Sequence, residues 1–252
     1  MSFYFISDIH VKEPNDFGCL LLKDFFAKTN AKEGDEIFLV GDIFDLMIGD
    51  HVEYLSLYSD FFNQLKESTS KGVKIHFFEG NHDFHLRKLF KRFCKLNNVS
   101  EDLIRIYQGP LFTEISGKKI HVSHGDDIEI DNPSYKAYKR VVNNPFMKFV
   151  ANYIMPFSLL NFIGTRASNK SRNRNQKKYE IRDDKNVMEK FRESFRREIK
   201  RKPVDILICG HSHVKDDYTF EEARYLNVGY ARLEKSFLKI SDDGQIDFVN
   251  LA

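Results

Sequence analysis

The sequence predicts an α/β fold, a sandwich of two β-sheets flanked by helices with a helical insertion, and three observations carry that expectation. Short runs rich in β-branched and aromatic residues alternate with helix-length stretches through Asn98, the pattern of a parallel sheet with right-handed crossovers. Later runs come in pairs joined by tight-turn residues, which marks antiparallel hairpins. Five polar tips each follow a strand-like run, and strand ends are where α/β folds build their sites.

Phe3–Ser7, Glu36–Val40 and Lys74–Glu79 read as strands, separated by helical stretches near Cys19–Thr29 and Glu53–Ser70. Leu103–Tyr107, Leu111–Ile115 and Lys119–Ser123 follow as strands, with Ser116-Gly117 turning the last two into a hairpin. At the carboxyl end Asp205–Cys209, Arg224–Val228, Arg232–Ile240 and Gln245–Val249 read as strands, the last two joined at Asp242-Asp243-Gly244. The whole chain, 1–252, reads as one domain, interrupted by an insertion from Asp131 to Arg201.

Composition agrees with a compact enzyme. A chain of 252 residues with 42% hydrophobic residues can bury a sizeable core, and 24 Phe compensate for the absence of Trp. Cys19, Cys94 and Cys209 are odd in number, far apart and set in apolar runs, which predicts reduced thiols and a cytosolic compartment. The opening residues Ser2–Ser7 read as a core strand and not as a secretory leader.

The polar tips are Asp8-Ile9-His10, Gly41-Asp42-Ile43-Phe44-Asp45, Gly80-Asn81-His82-Asp83, His124-Gly125-Asp126 and His211-Ser212-His213. Carboxylates, imidazoles and an amide, with no thiolate among them, suit Mn, Fe, Zn or Mg. Seven candidate ligands exceed what one ion takes. They suit two ions sharing a carboxylate about 3.5–4 Å apart, an arrangement that clamps a phosphoryl group. His51, His76, His85 and His121 lie off the pattern and read as ordinary polar contacts.

In order and spacing these tips resemble the metallophosphoesterase superfamily pattern D-x-H, G-D-x-x-D, G-N-H-D, H and G-H-x-H, a match that spans nearly the whole chain. The resemblance implies a two-sheet metallophosphoesterase sandwich and two divalent ions, Mn first, with Fe, Zn or Mg as alternatives. It assigns Asp8, His10 and His213 to one ion, Asn81, His124 and His211 to the other, and Asp42 to both. It also implies that His82 protonates a leaving oxygen, with Asp83 orienting it.

The insertion differs in composition from the rest. Its first half, from Phe146 to Ile163, is rich in apolar residues, yet it carries Lys148 and is broken by Pro156. It therefore falls short of the ~20 predominantly apolar residues of a membrane span. Short amphipathic helices are predicted, able to cover an apolar ligand, lie in a bilayer interface or simply pack on the core. The second half holds Arg166, Lys170, Arg172, Arg174, Lys177, Lys178 and Arg182, while the net charge of the chain is only +2. This local concentration suits phosphate or anionic headgroups. A pI near 8.3 and the lack of a nucleic-acid module argue against nucleic acid as a partner.

On a helix Ser171, Asn175 and Lys178 would share one face, offering a hydroxyl, an amide and an ammonium. That segment, the Asn144-Pro145 and Met155-Pro156 region and Tyr135 resemble the UDP-2,3-diacylglucosamine hydrolases of the lipid A pathway. The resemblance implies a helical lid over acyl chains, substrate contacts from Asn81, His82, Asn132, Tyr135, Ser171, Asn175, Lys178 and His211, and a catalytic role for Asp42. It implies an amphipathic lipid-nucleotide substrate and a cytoplasmic enzyme, peripheral on the bacterial inner membrane. Two positions depart from that family: His82 stands where Arg is found, and Asn132 where Asp is found. The alternatives are a metallophosphoesterase for another lipid or nucleotide phosphoester, and a non-catalytic binding module on the same fold.

Overall fold

The computed structural model describes residues 1–129, 133–142, 144–160, 162 and 184–251, with backbone alone for 133–136 and 138. The first sheet begins with β1 (Ser2–Ile6), β2 (Glu36–Leu39), β4 (Lys74–Phe78) and β6 (Ile104–Tyr107), all parallel. Its other edge is antiparallel: β12 (Ser236–Ser241) pairs with β1, and β13 (Ile246–Asn250) with β12. The second sheet runs β10 (Asp216–Phe220), β11 (Ala223–Asn227), β9 (Ile206–Cys209), β8 (Lys118–Val122) and β7 (Leu111–Ile115). β7 and β8 form the expected hairpin, turning at Ser116 and Gly117, both with positive φ.

Alternation of side chains along the strands builds the layers. Phe3, Phe5, Phe38, Val40 and Phe78 face Ile120, Val122, Ile208 and Leu226 between the sheets. From the first sheet Tyr4, Ile6, Ile37, Leu39, Ile75 and Phe77 point outward into the layer of α1 (Phe17–Thr29), α3 (Ser59–Ser70) and α4 (Arg87–Asn97). α1 starts at Asp16, whose carboxylate accepts from Cys19 N at 2.9 Å, a cap of the kind that contributes about 1 kcal/mol. α4 buries Leu89, Phe90, Phe93 and Cys94, one stripe at helical spacing. Over the second sheet lies the helix Asp184–Arg201, whose Phe191, Phe195 and Ile199 pack with Leu207, Cys209 and Tyr225. The end of the interval 131–201 is thus a flanking layer of the sandwich.

Several elements differ from the sequence reading. The stretch Glu53–Ser70 is two helices, α2 (Glu53–Leu57) and α3, broken at Tyr58. Tyr58 turns into the core against Phe44, ring centroids 4.5 Å apart. Arg232 begins no strand: Ala231–Glu234 is a helical turn ended by Lys235 at φ 43°, and β12 starts at Ser236. Arg232 there donates to the carbonyls of Ile9 and His10 at 2.7 and 2.8 Å, contacts that a β ladder would forfeit. β10 and the two-residue parallel pair β3 (Met47–Ile48) and β5 (Asp83–Phe84) carry no clear sequence signal, because they are short and mostly polar or isolated.

In the insertion's first half the structure has α5 (Pro133–Val142), α6 (Pro145–Phe149), a π turn over Val150–Ile154 and helical residues 157–160. The basic second half lies outside the described residues. Among the described residues no helix is long and apolar enough to cross a membrane. Cys94 and Cys209 are buried and Cys19 is half-buried, all three as free thiols.

Candidate metal centre

β1, β2 and β4 run parallel, so the residues after them, Asp8, Asp42 and Asn81, emerge on one edge of the sandwich. His124 follows β8 and His211 follows β9, which are parallel to each other in the facing sheet. Two bonds lock the facing ends together: His124 Nδ1 lies 3.0 Å from Val40 O, and His211 N donates to Asp8 Oδ2 at 3.0 Å. The loops then turn sharply. Asp8, His10, Asp42, His211 and His213 all have φ between 49° and 66°, a left-handed conformation that costs a non-glycine residue of order 1–3 kcal/mol. Strain persists only where surrounding bonds over-determine it, as when His10 N donates to Asp42 O at 3.0 Å and Val11 N to Ile43 O at 2.9 Å. Gly80 and Gly210 are required by close approach: a Cβ would strike the carboxylate of Asp42 at one and that of Asp8 at the other.

The side chains converge as the motifs predict. Asp8 Oδ1 lies 3.2 Å from His213 Nε2, and His213 Nε2 lies 3.2 Å from His10 Nε2. Asp42 stands between two groups of residues. Its Oδ1 accepts from the backbone of Asn81 and His82 at 2.6 and 2.9 Å, while Oδ2 is 3.8 Å from His10 Nε2 and 3.5 Å from His124 Nε2. Beyond His124, Asn81 Nδ2 and His211 Nδ1 are 3.0 Å apart. One carboxylate oxygen of Asp42 therefore stands between His10, which neighbours Asp8 and His213, and His124.

Electrostatics show what the centre lacks by itself. Burial would raise the Asp42 carboxyl, but the charges of His124 and His82 outweigh it and hold it well below the ordinary range. Burial likewise opposes ionisation of Asp8, and the hydrogen bond and charge of His213 bring it below its usual value. His124 is pushed well above an ordinary imidazole, its burial overcome by Asp42. His124 and the Asp42 carboxylate thus favour each other's charged form, a balance that divalent cations would supply instead. Among the described residues the buried Asp8 Oδ1 and His124 Nε2 have only off-line polar neighbours, His213 and Asp42, and no well-aligned hydrogen-bond partner. Buried polar atoms in that condition, aimed at a cluster of N and O ligands, fit divalent metal. Asp8, His10, Asp42 and His213 offer ligand atoms all within 4.8 Å of one another.

His82 stands beside this cluster, its ring 5.0 Å from that of His10, and its Nδ1 is 3.1 Å from Asp45 O. Donation from Nδ1 to that carbonyl leaves Nε2 as the ring atom able to exchange a proton with a leaving group. Asp83 does not orient it. The Asp83 carboxylate is fully buried and accepts from the backbone of Asp42, Ile43, Phe44 and Gly80 at 3.0, 2.7, 3.2 and 2.9 Å. These bonds tie it to the Asp42 loop, and the His82 ring has its hydrogen bond with Asp45 O. Burial, then the charge of Asp42, pushes its pKa well above the usual value.

Three supporting residues lie outside the seven candidate ligands. Asp45 Oδ1 lies 3.6 Å from His10 Nδ1, Tyr230 stacks on His213 at 4.9 Å, and Glu129 Oε2 is 3.2 Å from His211 Nε2. Asp45 is legible as the last residue of Gly41–Asp45; Tyr230 and Glu129 carry no local signal. Asn132, Ser171, Asn175 and Lys178 lie outside the described residues, and Tyr135 is on α5, where its backbone alone is described. The off-pattern histidines contact other groups: His76 with Glu36 and Tyr107, His51 with Ala151 O, His85 with Val142 O and His121 with Asp127.

A two-sheet sandwich with this cluster at its strand ends defines a phosphoesterase of the metal-dependent class. A family model described as calcineurin-like phosphoesterase matches residues 1–215, and the chain belongs to that family, a family of hydrolases that implies divalent metal. Relatives that bear the name UDP-2,3-diacylglucosamine hydrolase align over most of its length. That of Aliivibrio fischeri (strain MJ11) is 28% identical over 250 residues, 96% of this chain and 95% of the relative. The Actinobacillus succinogenes protein is 30% identical over 213 residues, 83% of each chain, and one from Haemophilus influenzae is 27% identical over 247 residues, 98% of each. An archaeal phosphodiesterase structure aligns over 99% of both chains at 14% identity, and its TM-score of 0.48 is too low to carry an argument.

Proposed function

We propose that the protein hydrolyses the diphosphate of UDP-2,3-diacylglucosamine, releasing UMP and 2,3-diacylglucosamine 1-phosphate. The observation that carries this reading is Asp42 Oδ2 standing between His10 and His124, in a chain aligned nearly end to end with relatives of that name. Asp8, His10 and His213 would hold one divalent ion, Asn81, His124 and His211 a second, with Asp42 common to both. Two such ions, Mn in the first instance, would supply Lewis acidity to the phosphoryl group and to an attacking water. The protein's own residues supply the rest. Asp83 keeps the Asp42 loop fixed, Asn81 and His211 border the phosphoryl position, and His82 offers a proton or a positive charge to the departing oxygen.

The insertion supports the lipid half of the substrate. Phe146, Phe149, Tyr153, Ile154 and Phe162 are more than half exposed, an apolar face of the kind that marks a lipid or interaction surface. We assign it to the acyl chains and to peripheral contact with an inner-membrane surface, with Asn132, Tyr135, Ser171, Asn175 and Lys178 contacting the substrate head.

The second reading, an ester with an alcohol leaving group, is favoured by His82, because an alkoxide needs a general acid. A phosphate monoester does not, its second pKa being about 6. Turnover of UDP-2,3-diacylglucosamine and of an alkyl phosphodiester by wild type and His82→Arg separates the two. On the diphosphate most activity survives the change, since a permanent cation suffices; on the alkyl ester about 10²–10⁴ is lost. Absence of UMP among the products of wild type rejects the proposal.

A further inference from the structure

We infer that Glu129 is a positioning residue for the centre, one that sets the tautomer and ring orientation of His211. This rests on the metal centre proposed above and adds to it a residue outside the motifs. Glu129 lies in the loop after β8, the loop that also carries His124, and its side chain is about one quarter exposed, so it borders the site's open side.

The argument is one of donors and acceptors. Glu129 Oε2 is 3.2 Å from His211 Nε2, and an ionised carboxylate can only accept, so Nε2 carries the proton. On the other side of the ring Nδ1 is 3.0 Å from Asn81 Nδ2, an amide nitrogen, which can only donate. Both neighbours select the same form of a neutral imidazole, with hydrogen on Nε2 and the lone pair on Nδ1. That lone pair is turned toward the Asn81 side, where the ligand groups meet. Partners that donate nothing and accept the distal N–H fix a ligating histidine in this way and raise its basicity.

The two histidines draw this support from different sources. His124 has its tautomer set by a main-chain acceptor, Val40 O at 3.0 Å, which no substitution removes. His211 sits at φ 66° on a tight loop, and its ring has the edges of His124 and Phe191 for neighbours at 5.0 and 6.1 Å. These contacts restrain the ring plane and leave its two nitrogens undistinguished. A side-chain carboxylate therefore does for His211 what the sheet does for His124.

The test is Mn²⁺ binding by calorimetry to the full chain after removal of bound metal with a chelator, for wild type, Glu129→Ala and Glu129→Gln. Glu129→Ala is expected to weaken binding by about 10–100-fold, and Glu129→Gln to stay near wild type, because its amide oxygen accepts the same proton. Unfolding temperature in chelator should be alike in all three. Should the Ala variant fail to fold, ¹⁵N spectroscopy of the wild-type imidazoles decides: protonated Nε2 on His211 supports the assignment and protonated Nδ1 overturns it. Metal binding in wild type with equal affinity in Glu129→Ala overturns the role of Glu129 and leaves the centre standing. Wild type that binds no divalent ion overturns the centre and this assignment with it.

Discussion

At the strand ends, charged groups are buried and the backbone is bent into left-handed turns; in the first half of the insertion, large apolar groups lie in solvent and the described backbone is mostly short helices with one π turn. Asp8 and Asp42 are 0% and 2% exposed, whereas Phe146 and Tyr153 are 67% and 61% exposed. Each region inverts the usual placement of its side chains. The strand ends bear the cost of buried carboxylates because a dense set of backbone donors and imidazoles fixes them, while the insertion leaves apolar area uncovered that a substrate or surface can cover. The proposed function thus places chemistry and selectivity in parts of the chain with opposite burial.

The two regions touch at few polar points. His51 Nε2 is 3.0 Å from Ala151 O, and His85 Nε2 is 3.0 Å from Val142 O. Two histidines of the core therefore hold carbonyls of the insertion from beside β3 and β5. Lys148 adds a bond to Gln108 at 3.2 Å, and Lys139 pairs with Asp126 in the His124 loop.

Asp42→Asn cuts the comparison at its deepest point. Loss of the shared carboxylate should lower turnover on every substrate by at least about 10³-fold, more than the loss of one oxyanion donor costs, with the fold retained by circular dichroism. Equal losses on lipid and small substrates are expected, because the change lies wholly on the chemical side. Activity comparable to wild type would end the shared-carboxylate reading.

Replacing Phe146 and Phe149 together by Ser probes the other side. Exposed substitutions of this kind change stability by about 0.5 kcal/mol or less, so unfolding should be unaltered. If acyl chains cover these rings, KM for the diacylated substrate should rise by roughly tenfold for each ~1.4 kcal/mol of binding free energy that the rings supply, while kcat/KM on a small chromogenic phosphodiester stays level. Parallel losses on both substrates would make the segment a support of the fold.

The smallest effect is expected at the junction. Burial lowers the His85 pKa below that of an ordinary imidazole, outweighing the Val142 carbonyl that raises it. A depressed folded-state pKa means that the unfolded chain takes up the proton first, so this stabilisation is full above about pH 6.5 and is lost as pH falls toward the folded value. Amide exchange in α5, corrected for its intrinsic rate, should therefore rise on acidification below about pH 6.5, and His85→Gln should flatten that dependence. A pH-independent wild type would show that His85 does not secure the insertion.

The strands of the parallel sheet and the polar residues that follow the strand ends were legible because each signal is local: an apolar run of strand length, then a polar residue where the run stops. The roles of Asp83 and Glu129 were not, since both depend on which distant atoms come within 3 Å or so. Asp83 reads in sequence as the neighbour of His82, yet its oxygens lie on backbone donors about forty positions away. Tyr58 breaks a helix whose periodicity would run on, and its ring is buried against Phe44, a contact with a residue distant in sequence.

By itself the sequence determined the ligand chemistry, the parallel order of the first strands and the apolar character of the insertion, each a property of neighbouring residues. Tertiary structure alone decided which carboxylate oxygen stands between His10 and His124, which nitrogen of His211 is turned to the centre and how the insertion is seated on the core. Those are distances between groups far apart in the chain. They are fixed only when two sheets close on one core and bring buried charges together under desolvation, where position, and not residue type, decides what each group can do.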